Sequence, residues 1–184
     1  WQLVEFPLYP AYPPGLYTLH VGTHTYTVHL HDTAAPPDDP PTNLNADFGP
    51  LHLLGYSLHY VPVSPGSELD VALYWRVDEV PPINLTVFFH LLGPPNPDTG
   101  GPLWAVNDSY PAQTPTTMLW PNLVFTDRRT IRIPADMPPG SYSLEVGLYD
   151  LATQTRLTLP DGADRVLIAG VDVRMCTQLW KWCF

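Results

Sequence analysis

Ser67-Glu68-Leu69-Asp70-Val71-Ala72-Leu73-Tyr74-Trp75-Arg76-Val77 alternates without interruption. Leu69, Val71, Leu73, Trp75 and Val77 fall on one side of an extended chain, and Glu68, Asp70, Tyr74 and Arg76 on the other. A period of two with one apolar face marks a half-buried strand. The next apolar run, Leu85 to Leu92, places Leu85, Val87, Phe89 and Leu91 on one face. Its other face carries Phe88 and Leu92 beside Thr86 and His90, so this strand is expected at the centre of a sheet and covered on both sides. Working outward, further strands are expected over Leu51 to Tyr60, Leu103 to Asn107, Val124 to Ile133, Ser141 to Tyr149, Thr155 to Leu159 and Arg165 to Val173. The breaks between them hold turn residues: Val63-Ser64-Pro65-Gly66, Gly93-Pro94-Pro95-Asn96-Pro97-Asp98, Met137-Pro138-Pro139-Gly140 and Pro160-Asp161-Gly162. No segment has a helical period. The expected fold is all-β, an antiparallel β-sandwich of immunoglobulin-like or jelly-roll-like kind with an N-terminal β arm.

Composition agrees. The chain has 184 residues, 45% hydrophobic and only 14% charged, with 24 prolines. That length suits one core, and prolines are tolerated at strand starts, edges and loops but not inside helices or central strands. Eighteen acidic residues against eight basic ones give a net charge of −10, which repels a phosphate backbone and excludes nucleic acid as the expected partner. No stretch reaches the roughly 18 apolar residues of a membrane-spanning helix. Trp1 to Phe6 lack the basic start of a secretory signal, and a chain beginning at Trp1 is expected to be a processed protein or a fragment.

The stretch from Thr33 to Pro41, Thr-Ala-Ala-Pro-Pro-Asp-Asp-Pro-Pro, reads as a stiff extended linker. The expected organisation is an arm over 1–33, a Pro-rich linker over 34–42, the sandwich over 43–173 and a tail over 174–184. Within the arm, Pro13-Pro14-Gly15-Leu16-Tyr17-Thr18-Leu19-His20-Val21-Gly22 matches Pro138-Pro139-Gly140-Ser141-Tyr142-Ser143-Leu144-Glu145-Val146-Gly147 at seven of ten positions. Nothing in 1–33 corresponds to the earlier strands of the main domain, so the arm looks like the tail end of a second sandwich. Its apolar stripes, Tyr17, Leu19 and Val21, then Tyr26, Val28 and Leu30, need a sheet to cover them. The arm either adds strands to its own sandwich or joins another molecule.

Phe48-Gly49, Leu53-Leu54-Gly55-Tyr56, Ser64-Pro65-Gly66, Leu73-Tyr74-Trp75-Arg76, Val87-Phe88-Phe89-His90-Leu91-Leu92, Pro138-Pro139-Gly140-Ser141-Tyr142 and Glu145-Val146-Gly147-Leu148-Tyr149-Asp150 follow in a recognisable order. Over residues 48 to 173 the chain resembles the β-sandwich modules at the extracytoplasmic ends of large membrane and surface proteins of Chloroflexota-type filamentous bacteria, including proteins read as membrane glycosyltransferases. The resemblance implies a sandwich and an extracellular or cell-surface location, and it brings no catalytic residue. Residues 174 to 184 depart from the pattern.

Candidate chemistry is sparse. Cys176 and Cys183 are the only cysteines, and an even pair at this spacing in an exported protein is expected to form a disulfide worth roughly 2–3 kcal/mol. Trp180, Trp182 and Phe184 form an aromatic cluster in and beside that loop, expected to dock on protein. His29 and His31 share a strand face and would hold a metal only with a third ligand from a neighbouring strand, so no metal or cofactor is expected. Asn96-Pro97-Asp98 and Asp161-Gly162-Ala163-Asp164 lack the spacing of a calcium loop and read as turns. There is no Gly-x-Ser-x-Gly elbow, His-Glu-x-x-His helix or phosphate-cradling glycine loop, so the chain reads as non-catalytic. Two functions remain. One is a structural subunit of a surface assembly or filament, joined head-to-tail through Tyr17, Leu19, Val21, Tyr26, Val28, Leu30, Trp180, Trp182 and Phe184, with further copies or another surface protein as partner. The alternative is a carbohydrate-binding module using Trp104, Tyr110 and Trp120 as flat platforms for a polysaccharide. Asn84-Leu85-Thr86 and Asn107-Asp108-Ser109 are glycosylation sequons.

Overall fold

The computed structural model describes residues 15–30, 42–58 and 63–175, and within the first of these stretches the side chains of 18 and 20–27. Eleven strands follow one another: β1 (Gly15–Val21), β2 (His24–Leu30), β3 (Thr42–Asp47), β4 (Leu51–Leu58), β5 (Glu68–Val77), β6 (Leu85–Leu92), β7 (Leu103–Val106), β8 (Val124–Arg132), β9 (Gly140–Asp150), β10 (Thr155–Arg156) and β11 (Val166–Val173). The helical content of the described residues is two 3-10 turns, Pro111–Gln113 and Thr116–Met118. All pairings between these strands are antiparallel. One sheet has the order β3-β4-β5-β8; the other runs β7-β6-β9, with β10 and β11 both on the far side of β9.

The alternation of β5 becomes a buried face: Leu69, Val71, Leu73, Trp75 and Val77 share one core with Val87, Phe89 and Leu91 of β6 and Leu144, Val146 and Leu148 of β9. Strand β6 lies between β7 and β9. Its second face is covered too, since Thr86 and Phe88 are both buried. Gly93 sits where Trp104 and Tyr142 meet edge to face; a side chain there would strike the Tyr142 ring.

Beyond one- or two-residue differences at other strand ends, two features differ from the sequence reading. Thr42 opens strand β3 instead of closing the linker. The strand expected over Thr155 to Leu159 is regular only at Thr155–Arg156, after which the Leu157 amide still donates to the Leu148 carbonyl. Alternation there reflects a chain lying along β9, not a full ladder.

The arm is a hairpin, paired from Gly15 with Leu30 to Val21 with His24. It is a two-stranded sheet of its own, and among the described residues neither of its strands joins a sandwich sheet. Val21 is 46% and Tyr26 50% exposed. No described helix is long and apolar enough to cross a membrane.

Candidate functional site

Strand register assembles one concentrated polar site, on the face of the five-stranded sheet that points away from the core. Val106 of β7 stands opposite His90 of β6, His90 opposite Glu145 of β9, and Glu145 opposite Leu167 of β11. This row crosses four strands with charged groups in the middle and exposed apolar side chains at both ends; Val106 is 55% and Leu167 62% exposed.

His90 Nδ1 lies 3.1 Å from Glu145 Oε1, and Nε2 lies 3.1 Å from Asp108 Oδ1. Glu145 Oε2 meets Arg165 Nε at 3.1 Å, and the Arg165 Nη1 meets Asp164 Oδ1 at 3.1 Å. The other oxygen of Asp164 takes Arg156 Nη1, again at 3.1 Å. The result is a continuous chain of six ions of alternating sign, Asp108, His90, Glu145, Arg165, Asp164 and Arg156. Beneath it, the Arg156 guanidinium lies 4.1 Å from the centre of the Phe88 ring, a cation–π contact. The Tyr149 hydroxyl donates to Asp108 Oδ2 at 3.4 Å.

Asp108 owes its position to the residues beside it. Arg129 and Asp127 point inward from β8 and are almost wholly buried as an ion pair at 2.8 Å. The Arg129 guanidinium also donates to Asn107 Oδ1, to Ser109 Oγ at 2.8 Å, and to the carbonyls of Asn107, Ser109 and Tyr110. Asp127 Oδ1 accepts the Ala112 amide, which steadies two consecutive residues, Ala112 and Gln113, at φ of 47° and 59°. Asn107 and Ser109 are thus held from the core side while Asp108, between them, faces His90.

The electrostatics decide the protonation. Burial pulls the His90 imidazole down, but the hydrogen bonds and charges of Asp108 and Glu145 outweigh it and lift His90 to about 9. Burial likewise works against the Asp108 carboxylate, yet the His90 hydrogen bond and charge hold it below its ordinary value. At neutral pH His90 is therefore an imidazolium with both nitrogens donating, with no lone pair for a metal or for proton abstraction.

Of the residues singled out in the sequence, Asp108 of the second sequon and Asp164 of the Asp161–Asp164 turn belong to this site, whereas the aromatic sugar-binding candidates do not. Trp104 is buried, its indole N–H donating to the Pro94 carbonyl at 2.7 Å; its ring closes the core and offers no face to a sugar in this arrangement. Trp120 is half-buried against the core, and Tyr110 is half-buried beside the Arg129 anchor. These three do not form one platform. Asn107 of the second sequon is engaged, its side-chain amide donating to the Thr130 carbonyl, and Asn84 Oδ1 accepts from Thr117. Among the arm residues, Val21 and Tyr26 are exposed as stated, whereas the side chains of Tyr17, Leu19, Val28, Leu30 and His29 lie outside the described residues, as do His31, Cys176, Trp180, Trp182, Cys183 and Phe184.

No family model matches the chain, and no curated protein matches it. Solved structures of similar shape include the C-terminal domain of Wzt, at 14% identity and a TM-score of 0.49 over 93% of this chain and 85% of that one. Another is Pseudomonas fluorescens alkylpurine DNA glycosylase AlkC bound to DNA containing an abasic site analogue, at 12% identity and a TM-score of 0.39 over 68% of this chain and 31% of that one. At these values neither likeness bears on ligand or reaction.

Proposed function

We propose that this chain is a non-catalytic, extracellular β-sandwich module that holds a glycan against the outer face of its five-stranded sheet. The observation that supports the reading is the row of ions fixed in strand register between exposed Val106 and Leu167. A saccharide offers hydroxyls that both donate and accept, beside patches of C–H. The row matches both needs. Arg156, Arg165, Asp108 and Asp164 are each between 31% and 48% exposed and retain donors and lone pairs beyond those used among themselves, and the flanking side chains supply apolar surface. His90, Glu145 and Arg156 sit on strands, Asp108, Asp164 and Arg165 in the connections beside them, and because the groups brace one another little ordering is required on binding.

With His90 protonated and donating from both nitrogens it is no general base at neutral pH, and with Asp108 held ionised by that contact it is no general acid. The test is retardation of the native protein in gels containing neutral polysaccharides. Arg165→Ala and Tyr149→Phe are each expected to weaken retardation at least about tenfold, or roughly 1.4 kcal/mol, with the unfolding transition retained. Folded variants that migrate like the parent in every gel would overturn the reading.

A second reading, the structural subunit, is favoured by one specific observation: the hairpin β1–β2 forms a sheet apart from the sandwich and leaves Val21 and Tyr26 exposed.

A further inference from the structure

We infer that the ligand of the outer face is an uncharged saccharide, and that Asp164, which holds Arg156 and Arg165 through its two oxygens, is the residue that enforces this selectivity. The inference rests on the glycan reading and adds to it the ligand class and its determinant.

The six-ion chain contains three cations, His90, Arg156 and Arg165, and three anions, Asp108, Glu145 and Asp164. Every internal link is made, so the face carries no net charge to attract an ion. A carboxylate approaching the guanidiniums of Arg156 or Arg165 meets Asp164 already between them, and a cation approaching Glu145 meets His90 and Arg165. Either must displace a like charge. A hydroxyl meets no such cost, since it donates to a carboxylate and accepts from the neighbouring guanidinium at once. Adjacent hydroxyls of a sugar ring thus find alternating acceptors and donors along the chain. The remainder of the protein, with a net charge of −10, adds long-range repulsion toward an acidic polymer.

Asp164 is the member best suited to set this balance. It is 37% exposed and belongs to the connection between β10 and β11, whereas Glu145 is buried on β9. Its loss leaves the chain with three cations against two anions and two guanidiniums without their shared partner. Asp164 is a positioning residue here, acting through the arginines.

The experiment is affinity electrophoresis of the whole chain in dextran, glucomannan and polygalacturonate gels at low and moderate salt, with Asp164→Asn beside the parent and thermal unfolding as the control. The parent should be retarded by at least one neutral polymer and run freely in polygalacturonate. Asp164→Asn should gain retardation in polygalacturonate, at least about threefold and abolished by salt, while losing affinity for the neutral polymer. A parent that binds polygalacturonate more tightly than either neutral polymer would overturn the inference but leave the glycan reading standing. An Asp164→Asn variant that keeps the parent's preference would remove Asp164 as the determinant. No retardation of the parent in any gel would end both. Should Asp164→Asn fail to fold, Asp164→Ser must show the same salt-sensitive gain of retardation in polygalacturonate, and a folded Asp164→Ser that still runs freely there would remove Asp164 as the determinant.

Discussion

Arg129 and His90 are the two side chains whose surroundings make the sharpest demands. Arg129 is buried with Asp127 and serves five further acceptors in residues 107–110. Truncation leaves the buried Asp127 carboxylate without its cation and with only the Ala112 amide still donating to it, so Arg129→Ala should cost about 3–5 kcal/mol, read as a lower urea midpoint. Arg129→Lys should recover only part, since an ammonium cannot span the same fan of acceptors. His90 makes a pH prediction. Folding raises it from 6.5 to about 9, so its contribution is complete below about pH 6.5 and fades as pH climbs through 9, a loss on the order of 3 kcal/mol. Asp108, held low by the same contact, gives the acid limb, where stability falls as pH drops through its depressed value. Denaturation at about pH 6 and about pH 10 should show the loss in the parent and a flatter profile in His90→Gln; equal slopes would contradict the assigned network. The Asp127–Arg129 pair was legible in principle, because Phe125-Thr126-Asp127-Arg128-Arg129-Thr130-Ile131 alternates and puts both charges on the core side. The His90 site was not, since His90 and Glu145 are 55 positions apart and only the pairing of β6 with β9 brings them together.

Among the elements, β9 depends on a gap. Gly147 lies opposite Phe88, and a Cβ on it would land within the Phe88 ring and 2.8 Å from the Asp164 carbonyl oxygen. Gly147→Ala should therefore destabilise the sandwich by about 1–3 kcal/mol and loosen the seat of Arg156, whereas Gly147→Ala with Phe88→Leu should restore part of the loss; thermal melts of the three chains decide it. The long strands were readable because their apolar faces alternate and their ends carry Pro-Gly turns. Strand β3 escaped because Thr42-Asn43-Leu44-Asn45-Ala46-Asp47 has poor strand propensity and no regular stripe. It forms against β4 through a bulge in which Asn45 takes a φ of 55° and accepts a hydrogen bond from His52. Neighbouring backbone made that strand, which local sequence does not report. The opposite error, at Leu157 to Leu159, arose because an apolar alternation needs a ladder partner to become a strand, and β9 supplies one only for Thr155–Arg156.

At the scale of the whole molecule the question is what the hairpin is for. Among the described residues, the core and the half-buried layer packed on it lie between Leu44 and Val173. The hairpin in turn holds only seven residues in each strand, too little to be stable alone in water. From Gly15 to Leu30 it contains no Asp, Glu, Lys or Arg, so neither ion pairs nor charge repulsion keep its apolar side chains from other surfaces. A two-stranded sheet of this kind gains stability by burying a face, and a second copy is the partner that the structural-subunit reading supplies. Because the hairpin and its acceptor are different surfaces, the contact would be head-to-tail and would repeat. Deleting residues 1–33 is therefore expected to leave the urea transition of the sandwich within about 0.5 kcal/mol of the intact chain and to abolish concentration-dependent growth in light scattering. An intact chain that stays monomeric at high concentration, or a truncated chain whose transition collapses, would place the hairpin on its own sandwich and remove the structural-subunit reading, leaving the glycan face as the sole proposed interface.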